Sequence, residues 1–555
     1  MVGGRRHFRL HRLLRIRRGS ITARDRANPR TLGHPTGDRT GFDNLSPASR
    51  DDSASAHPDN LMARRAIIIG AGAGGLACAT ELAAAGWQVD VFEARSEPGG
   101  KMHQRQVGGV GIDSGPTVFT MHWVFEQLFK RGGKHFDDCV ALTESRRLAR
   151  HAWTDSSYLD LFHDIDKSSE AIAKFSDEEN VDGYQRFCKD GEIIHGLLKD
   201  NFMASAQPSP AKLTYRLLRD GGMKALSVAP HKSLWQSLGR YFSDPRLRQL
   251  YGRYSTYVGS SPLLTPSTLM LIAHVERQGV WCVAGGMRAL ADAMANVASE
   301  NGATFHYNSA VREITGDERS VRGITLASGE THNADVVIFN GDTAALSDGL
   351  LGERVRKAVP SRARKQRGLS AITWCMRAST SGLDLDHHNV FFAADYEKEF
   401  SHIFEQRGIC PEPTVYVCAQ DRLNGECKSP NGERLLLLIN APADGDHLAW
   451  TPEKLLEQRN RALDVIKRGR VNIEFEEENC LATSPDDWHR RFPASGGSLY
   501  GAASHGMFSI FSRASSRTKV RGLYLAGGSV HPGPGVPMAT LSGTLAAREI
   551  LEQVN

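Results

Sequence analysis

The chain has 555 residues, 40% hydrophobic and 24% charged, with 68 Lys and Arg against 63 Asp and Glu for a formal charge of +5. That balance excludes a wholly disordered chain, which lacks the apolar content to build a core, and a polytopic channel, which carries far fewer charges. The charge is local: residues 1–30 hold ten arginines and one acid, Asp25, a net +9, so the other 525 residues carry −4 and offer no basic surface for a nucleic-acid partner.

Residues 1–61 read as a basic extension, Arg-rich to about residue 30 and then rich in Pro, Asp, Ser and Asn. Two readings stand: a disordered arm, or sequence upstream of a start at Met62. Arg5-Arg6 is not followed by the apolar stretch that an export signal needs. Beyond Met62, Ala66-Ile67-Ile68-Ile69 predicts a buried parallel strand stopping at Gly70, then a helix over 76–85 and a second strand over 88–93. Together these make a βαβ unit. From about 136 to 250 the pattern predicts polar helices with few strands. Further strands are predicted at 304–311, 321–326 and 334–339, then in a block over 370–440 that includes 414–418 and 435–440. Near the C-terminus, a strand closing on Gly527-Gly528 precedes a helix from about Ala539.

Two uncharged runs raise the question of a membrane span, but Pro262 and Pro266 break 254–275, and Pro532, Pro534 and Pro537 break 522–547. Neither predicts a continuous spanning helix. The apolar stretch 267–273 reads as a buried helix or, alternatively, as a monotopic membrane contact. The nine cysteines form no C-x-x-C pair, which predicts structural thiols and no metal site.

Gly70-Ala71-Gly72-Ala73-Gly74-Gly75 is a G-x-G-x-x-G loop between the first predicted strand and helix. Gly70 permits the turn, Gly72 lets a pyrophosphate approach the backbone, and Gly75 permits close helix packing. Glu93, 23 positions after Gly70, stands where a carboxylate accepts ribose hydroxyls. The unit predicts a dinucleotide site, and by itself does not distinguish NAD from FAD.

The elements further along resemble a known group. Glu93 followed by Gly99-Gly100-Lys101, Gly115-Pro116-Thr117, and Leu523-Tyr524-Leu525-Ala526-Gly527-Gly528 resemble the flavoproteins that include amine oxidases, protoporphyrinogen oxidase and carotenoid desaturases. Within it, Gly279-Val280-Trp281 through Gly285-Gly286-Met287 and His531-Pro532-Gly533-Pro534-Gly535-Val536-Pro537 resemble signatures of the bacterial phytoene desaturase family. The segments 115–121 and 244–259 are similar to the branch of that family that desaturates 1-hydroxylated or methoxylated acyclic carotenoids at C3–C4 in spheroidene and spirilloxanthin biosynthesis.

The resemblance implies an α/β fold, with a Rossmann-type FAD-binding domain of the glutathione-reductase and amine-oxidase kind and a discontinuous α+β substrate domain. The implied division is the extension 1–61; FAD-binding parts 62–135, 279–345 and 491–555; a helical, membrane-facing substrate part 136–278; and a substrate sheet 346–490. The implied FAD contacts are Gly70, Gly72, Gly74, Gly75, Glu93, Gly100, Lys101, Gly115, Pro116, Thr117, Val311, Gly527, Gly528, Val536 and Met538. Tyr254, Tyr257 and Trp281 read as walls of a polyene channel or as ordinary core aromatics. Hydride transfer to a flavin needs positioning more than a strong base, and no proton acceptor is assigned; His531, Asp113 and Asp342 read as structural. The resemblance further implies a carotenoid substrate, oxygen or a quinone as electron acceptor, and a cytoplasmic enzyme held peripherally on the photosynthetic inner membrane. A general amine or porphyrinogen oxidase and a non-catalytic lipid-escort protein are the competing readings.

Overall fold

The computed structural model describes residues 64–206, 219, 231–317, 319–427, 429 and 432–553, which belong to one compact unit spanning 58–555. The predicted extension 1–61 lies outside the described residues.

The strand Arg65–Ile69 forms because three isoleucines follow Ala66, and β-branched side chains fit a sheet covered on both faces. It pairs in parallel with Gln88–Phe92 on one side and Val336–Phe339 on the other. Thr304–His306 extends the sheet beyond Gln88–Phe92, and Leu523–Leu525 extends it beyond Val336–Phe339. The result is a five-stranded parallel sheet assembled from distant stretches of the chain. Ile67 and Ile68 are fully buried on opposite faces, each burial contributing about 2 kcal/mol.

The second large sheet has eight strands. In order they are Val471–Glu474, Ser370–Gly382, Glu433–Ala441, Val415–Ala419, His388–Phe391, Arg147–Ala152 and Tyr158–Phe162, with Cys480–Thr483 also paired to Ser370–Gly382. Its pairings are antiparallel except for His388–Phe391 with Arg147–Ala152. This corrects the expectation that 136–250 holds few strands. Arg147–Ala152 and Tyr158–Phe162 are short and polar, and the partner that makes the first of them a strand lies more than 200 residues away. The predicted strand 304–311 divides: Thr304–His306 joins the parallel sheet, whereas Val311–Gly316 opens a separate three-stranded sheet. The C-terminal helix is Val536–Glu552, starting earlier than predicted because Pro537 is accommodated in its first turn.

The stretch 267–273 is largely buried, as a short 3₁₀ turn, Ser267–Met270, running into the helix Leu271–Arg277. Among the described residues no helix is long and apolar enough to cross a membrane.

Candidate active site

The helix Ala73–Ala84 begins at Gly72, and no side chain caps it, so its first N–H groups face the loop without intrahelical partners. Gly70 has φ +97° and needs glycine. The later glycines are required by packing. A Cβ on Gly75 would lie 2.1 Å from the Gly70 carbonyl oxygen, and one on Gly74 would lie 2.6 Å from the Gly527 nitrogen. Asn340, at the end of the strand Val336–Phe339, donates through Nδ2 to the Gly70 carbonyl at 3.0 Å. Motif reading passed over Asn340, although the C-terminal end of a central parallel strand is where such sheets bind ligands.

Glu93 is buried. One carboxylate oxygen accepts from the Ala71 N–H at 2.8 Å and the other from the Arg95 N–H at 3.1 Å, so the acid is anchored to the glycine loop and each oxygen keeps a lone pair. Val311 opens its strand two residues after Ser309, whose N–H donates to the Glu93 carbonyl at 2.8 Å. Gly99 and Gly100 both have positive φ. The Gly99 N–H donates to the Ala71 carbonyl at 2.8 Å, which lays the second glycine pair against the first. Lys101 donates through Nζ to the Leu499 carbonyl at 2.6 Å; burial lowers its pKa, and Asp342 opposes that shift.

Arg95 and Arg491, neither singled out in the sequence, gather beside this loop. The Arg95 Nη2 donates to the Arg491 carbonyl at 2.5 Å. Burial, reinforced by Arg95, pushes the Arg491 guanidinium down to about 10. Arg95 Nη1 and Arg491 Nε are buried without a hydrogen-bond partner among the described residues, which leaves cationic donors for an anionic group.

At the C-terminal element Gly527 is tightly constrained, with φ +105° and a Cβ position 2.7 Å from Asn340 Oδ1, whereas a Cβ on Gly528 would make only ordinary contact with Pro534 at 3.6 Å. The Gly528 carbonyl accepts from Arg513 Nη1 at 3.3 Å. Arg513 also donates to the Tyr500 and Ala502 carbonyls, and its burial lowers its pKa to about 10. The helix Val536–Glu552 again starts uncapped, at Gly535.

That uncapped start opens into a cavity of about 350 Å³. The walls include Gly115, Pro116, Thr117, Val536 and Met538 from the predicted cofactor set, together with Arg513. They continue through Leu269, Leu271, Ile272 and Val275 to Tyr257. Of the three aromatics expected along a channel, only Tyr257 lines this cavity. Tyr254 is buried behind it, and Trp281 packs against Phe119 and His122 while its backbone N–H donates to the Phe119 carbonyl at 3.0 Å. Neither Tyr254 nor Trp281 is among the residues that line this cavity; Tyr254 is in the core and Trp281 is partly buried against it.

A buried polar group backs Tyr257. Arg253 Nη1 donates to the Tyr257 hydroxyl at 2.9 Å, which donates to Glu276 Oε1 at 2.7 Å. The Tyr254 hydroxyl donates to Glu276 Oε2, and Arg253 Nη2 pairs with the same oxygen at 3.4 Å. Elsewhere on the cavity wall Thr117 Oγ1 and the Tyr416 hydroxyl are 2.7 Å apart, and Tyr416 bonds His388 Nδ1 at 2.7 Å. His387, His388 and Cys418 hold ligand-type atoms within 4.8 Å of one another, but His387 is bonded to the Arg422 carbonyl and Cys418, and His388 to Tyr416.

The other singled-out groups are structural in their contacts. His531 Nε2 bonds the Phe202 carbonyl at 3.0 Å, and burial lowers its pKa to about 4. Asp113 accepts from the Met287 N–H at 2.7 Å, at the start of the helix Gly286–Glu300. Asp342 accepts from the Ala344 N–H at 3.0 Å in a turn.

Residues 73–551 match the family described as flavin containing amine oxidoreductase. Hydroxyneurosporene desaturase of Rubrivivax gelatinosus is 43% identical over 496 residues, covering 89% of this chain and 94% of that protein. The 1-hydroxycarotenoid 3,4-desaturase of a Flavobacterium species is 30% identical over 87% of this chain and 98% of its own length. Among solved structures, putrescine oxidase bound to putrescine superposes with a TM-score of 0.57 at 16% identity, covering 88% of this chain and 99% of that one, a likeness of fold.

Proposed function

We propose, from the premise that this chain belongs to the flavin containing amine oxidoreductase family and, within it, with the bacterial hydroxyneurosporene desaturases, that it is an FAD-dependent oxidoreductase desaturating an acyclic 1-hydroxy or methoxy carotenoid at C3–C4. The observation that carries the reading is the single cavity whose one end is built from Gly115, Pro116, Thr117 and the Val536–Glu552 helix start and whose body is walled by Leu269, Leu271, Ile272 and Val275.

The residues fit the cofactor. The glycine loop and uncapped Ala73–Ala84 helix suit a pyrophosphate, and the unpartnered Arg95 and Arg491 nitrogens add positive charge beside it. We assign Gly70, Gly72, Gly74, Gly75, Gly100, Lys101, Gly527 and Gly528 to the phosphate and ribityl region, and Glu93 with Val311 to the adenosine end. Gly115, Pro116, Thr117, Val536 and Met538 then face the flavin ring, where the helix dipole stabilises negative charge. FAD bound there supplies the hydride acceptor. The protein's own part is to hold an allylic carbon at close range and exclude water with apolar walls. Desaturation removes a hydride from one carbon and a proton from its neighbour, and the polyene delocalises the positive charge between the two events.

The same reading divides the chain into FAD-binding parts 62–135, 279–345 and 491–555 around substrate parts 136–278 and 346–490. It also places the enzyme peripherally on the cytoplasmic face of the inner membrane, with oxygen or a quinone reoxidising the flavin. A water-insoluble substrate supports that location, as do the exposed Leu264 and Phe508, which stand close together because the Gly506 N–H donates to the Leu264 carbonyl.

The test is expression of this chain in bacteria that accumulate 1-hydroxyneurosporene. A pigment whose absorption maximum moves to the red supports the reading, because each added conjugated bond lowers the transition energy. An unshifted spectrum with protein and substrate both present sinks it.

A further inference from the structure

Several polar side chains on the cavity wall are already bonded within the protein. Tyr257 accepts from Arg253 and donates to Glu276, and Tyr416 lies between Thr117 and His388. One group differs. Thr414 and Asn440 both line the cavity and stand side by side, one step beyond the Val415–Ile439 pair of two antiparallel strands. Behind them lies Glu399 of the helix Tyr396–Phe404, fully buried and with no ion pair among the described residues.

The Glu399 carboxyl is satisfied by its neighbours. Oε2 accepts from the Thr414 hydroxyl at 2.6 Å and from the Thr414 N–H at 3.2 Å, and Oε1 accepts from Asn440 Nδ2 in a long bond at 3.5 Å. One end of the Asn440 amide faces Glu399, and the other end is left for a ligand hydroxyl, which can donate or accept. A buried carboxyl without a cation is costly. Placed here it orients the Asn440 amide on the cavity wall.

The position along the sheet matters as much as the chemistry. Tyr416 and Leu438, the next pair facing the same way, also line the cavity, and Tyr416 is bonded to Thr117. Two strand residues span about 7 Å. A hydroxyl held at Asn440 therefore directs the first carbons of an acyclic chain toward Tyr416 and Thr117, the end of the cavity that carries the assigned flavin contacts. Resting on the desaturase reading above, we propose that Asn440 and Thr414, positioned by Glu399, form the site that recognises the terminal tertiary hydroxyl of the substrate and so selects hydroxylated over unhydroxylated polyenes.

The test uses the full-length, flavin-loaded protein in detergent micelles. It is titrated with two acyclic carotenoids of equal polyene length, one bearing a C1 hydroxyl and one without, and the shift in carotenoid absorption is followed. The wild type is expected to bind the hydroxylated compound about tenfold more tightly, the effect of one well-placed hydrogen bond. Asn440→Leu is expected to bring that preference close to one while keeping or improving affinity for the plain polyene. Thr414→Val, nearly isosteric, gives the same direction more weakly and serves if the leucine variant fails to fold. A wild type that does not discriminate, or variants that retain the full preference, would overturn the proposal. Discrimination without any red shift in the expression test would instead overturn the desaturase reading and leave a hydroxycarotenoid-binding site.

Discussion

The side-chain amide of Asn340 joins two glycine loops: Nδ2 donates to the Gly70 carbonyl at 3.0 Å, and Oδ1 occupies the space that a Cβ on Gly74 or Gly527 would need. The first loop comes from the N-terminal part of the fold and the second from its C-terminal strand, so one residue holds both in register.

Asn340→Ala should therefore weaken cofactor retention more than it unfolds the protein. It leaves the Gly70 carbonyl without this donor, at a cost of about 1–3 kcal/mol. The expected result is a purified protein with a lower ratio of flavin to protein absorbance and a flavin dissociation constant raised about tenfold or more. Full flavin content in the variant would remove Asn340 from the site.

Gly543 gives a case in which helix propensity and packing oppose each other. It lies inside the helix Val536–Glu552, where Ala is favoured over Gly by about 1 kcal/mol. Its Cβ would stand 2.0 Å from the Gly74 carbonyl oxygen and 3.0 Å from the Ala77 Cβ. Overpacking of that kind costs about 1–3 kcal/mol or more, so Gly543→Ala should lower Tm, as read by thermal unfolding, and loosen the glycine loop. A raised Tm would show that the two helices separate freely.

The Arg253–Glu276 pair is almost completely buried, with side chains 7% and 4% exposed. Removing one partner alone leaves an uncompensated charge in the core, at about 3–5 kcal/mol. Glu276→Leu should destabilise strongly, and Arg253→Met with Glu276→Leu together should cost less than the sum of the two single changes. Denaturant unfolding of the four proteins in the cycle measures the coupling, and simple additivity would contradict a direct pair.

Glu399 predicts a pH dependence of stability. Burial raises its pKa from 4.5 to about 7, so the folded state favours the protonated acid. Its contribution to stability is fully present below about pH 4.5, declines as the unfolded carboxyl ionises while the folded one stays protonated, and is lost by about pH 7, a change on the order of 3 kcal/mol. Glu399→Gln, which cannot ionise, should gain stability relative to wild type between pH 5 and pH 8. An unchanged difference in Tm across that range would mean that Glu399 titrates normally in the fold.

What was readable in advance depended on how local the determining physics is. The strand Arg65–Ile69, the glycine loop and the helix Ala73–Ala84 follow from β-branched run, turn chemistry and helical composition within one short stretch. Tyr254 and Trp281, by contrast, carry the same aromatic signal as Tyr257. Which of them faces the cavity depends on chain that packs over them from elsewhere. Asn440 and Thr414 fall in the stretches 414–418 and 435–440 predicted as strands, but the carboxyl behind them belongs to a helix that no spacing links to either.

The amino-acid sequence by itself determined the dinucleotide unit, the flavoprotein and carotenoid-desaturase character carried by its short motifs, and the separation of a +9 arm from a −4 body. The tertiary structure alone decided that the helix start at Gly535, Thr117 and Tyr257 share one cavity, that Asn340 bridges the glycine loops, and that Glu399 turns an amide toward the cavity wall. The physical reason is range: backbone preference and side-chain periodicity act over a few residues. Burial and hydrogen bonding between elements hundreds of residues apart are settled only when the sheets and helices close on a common core.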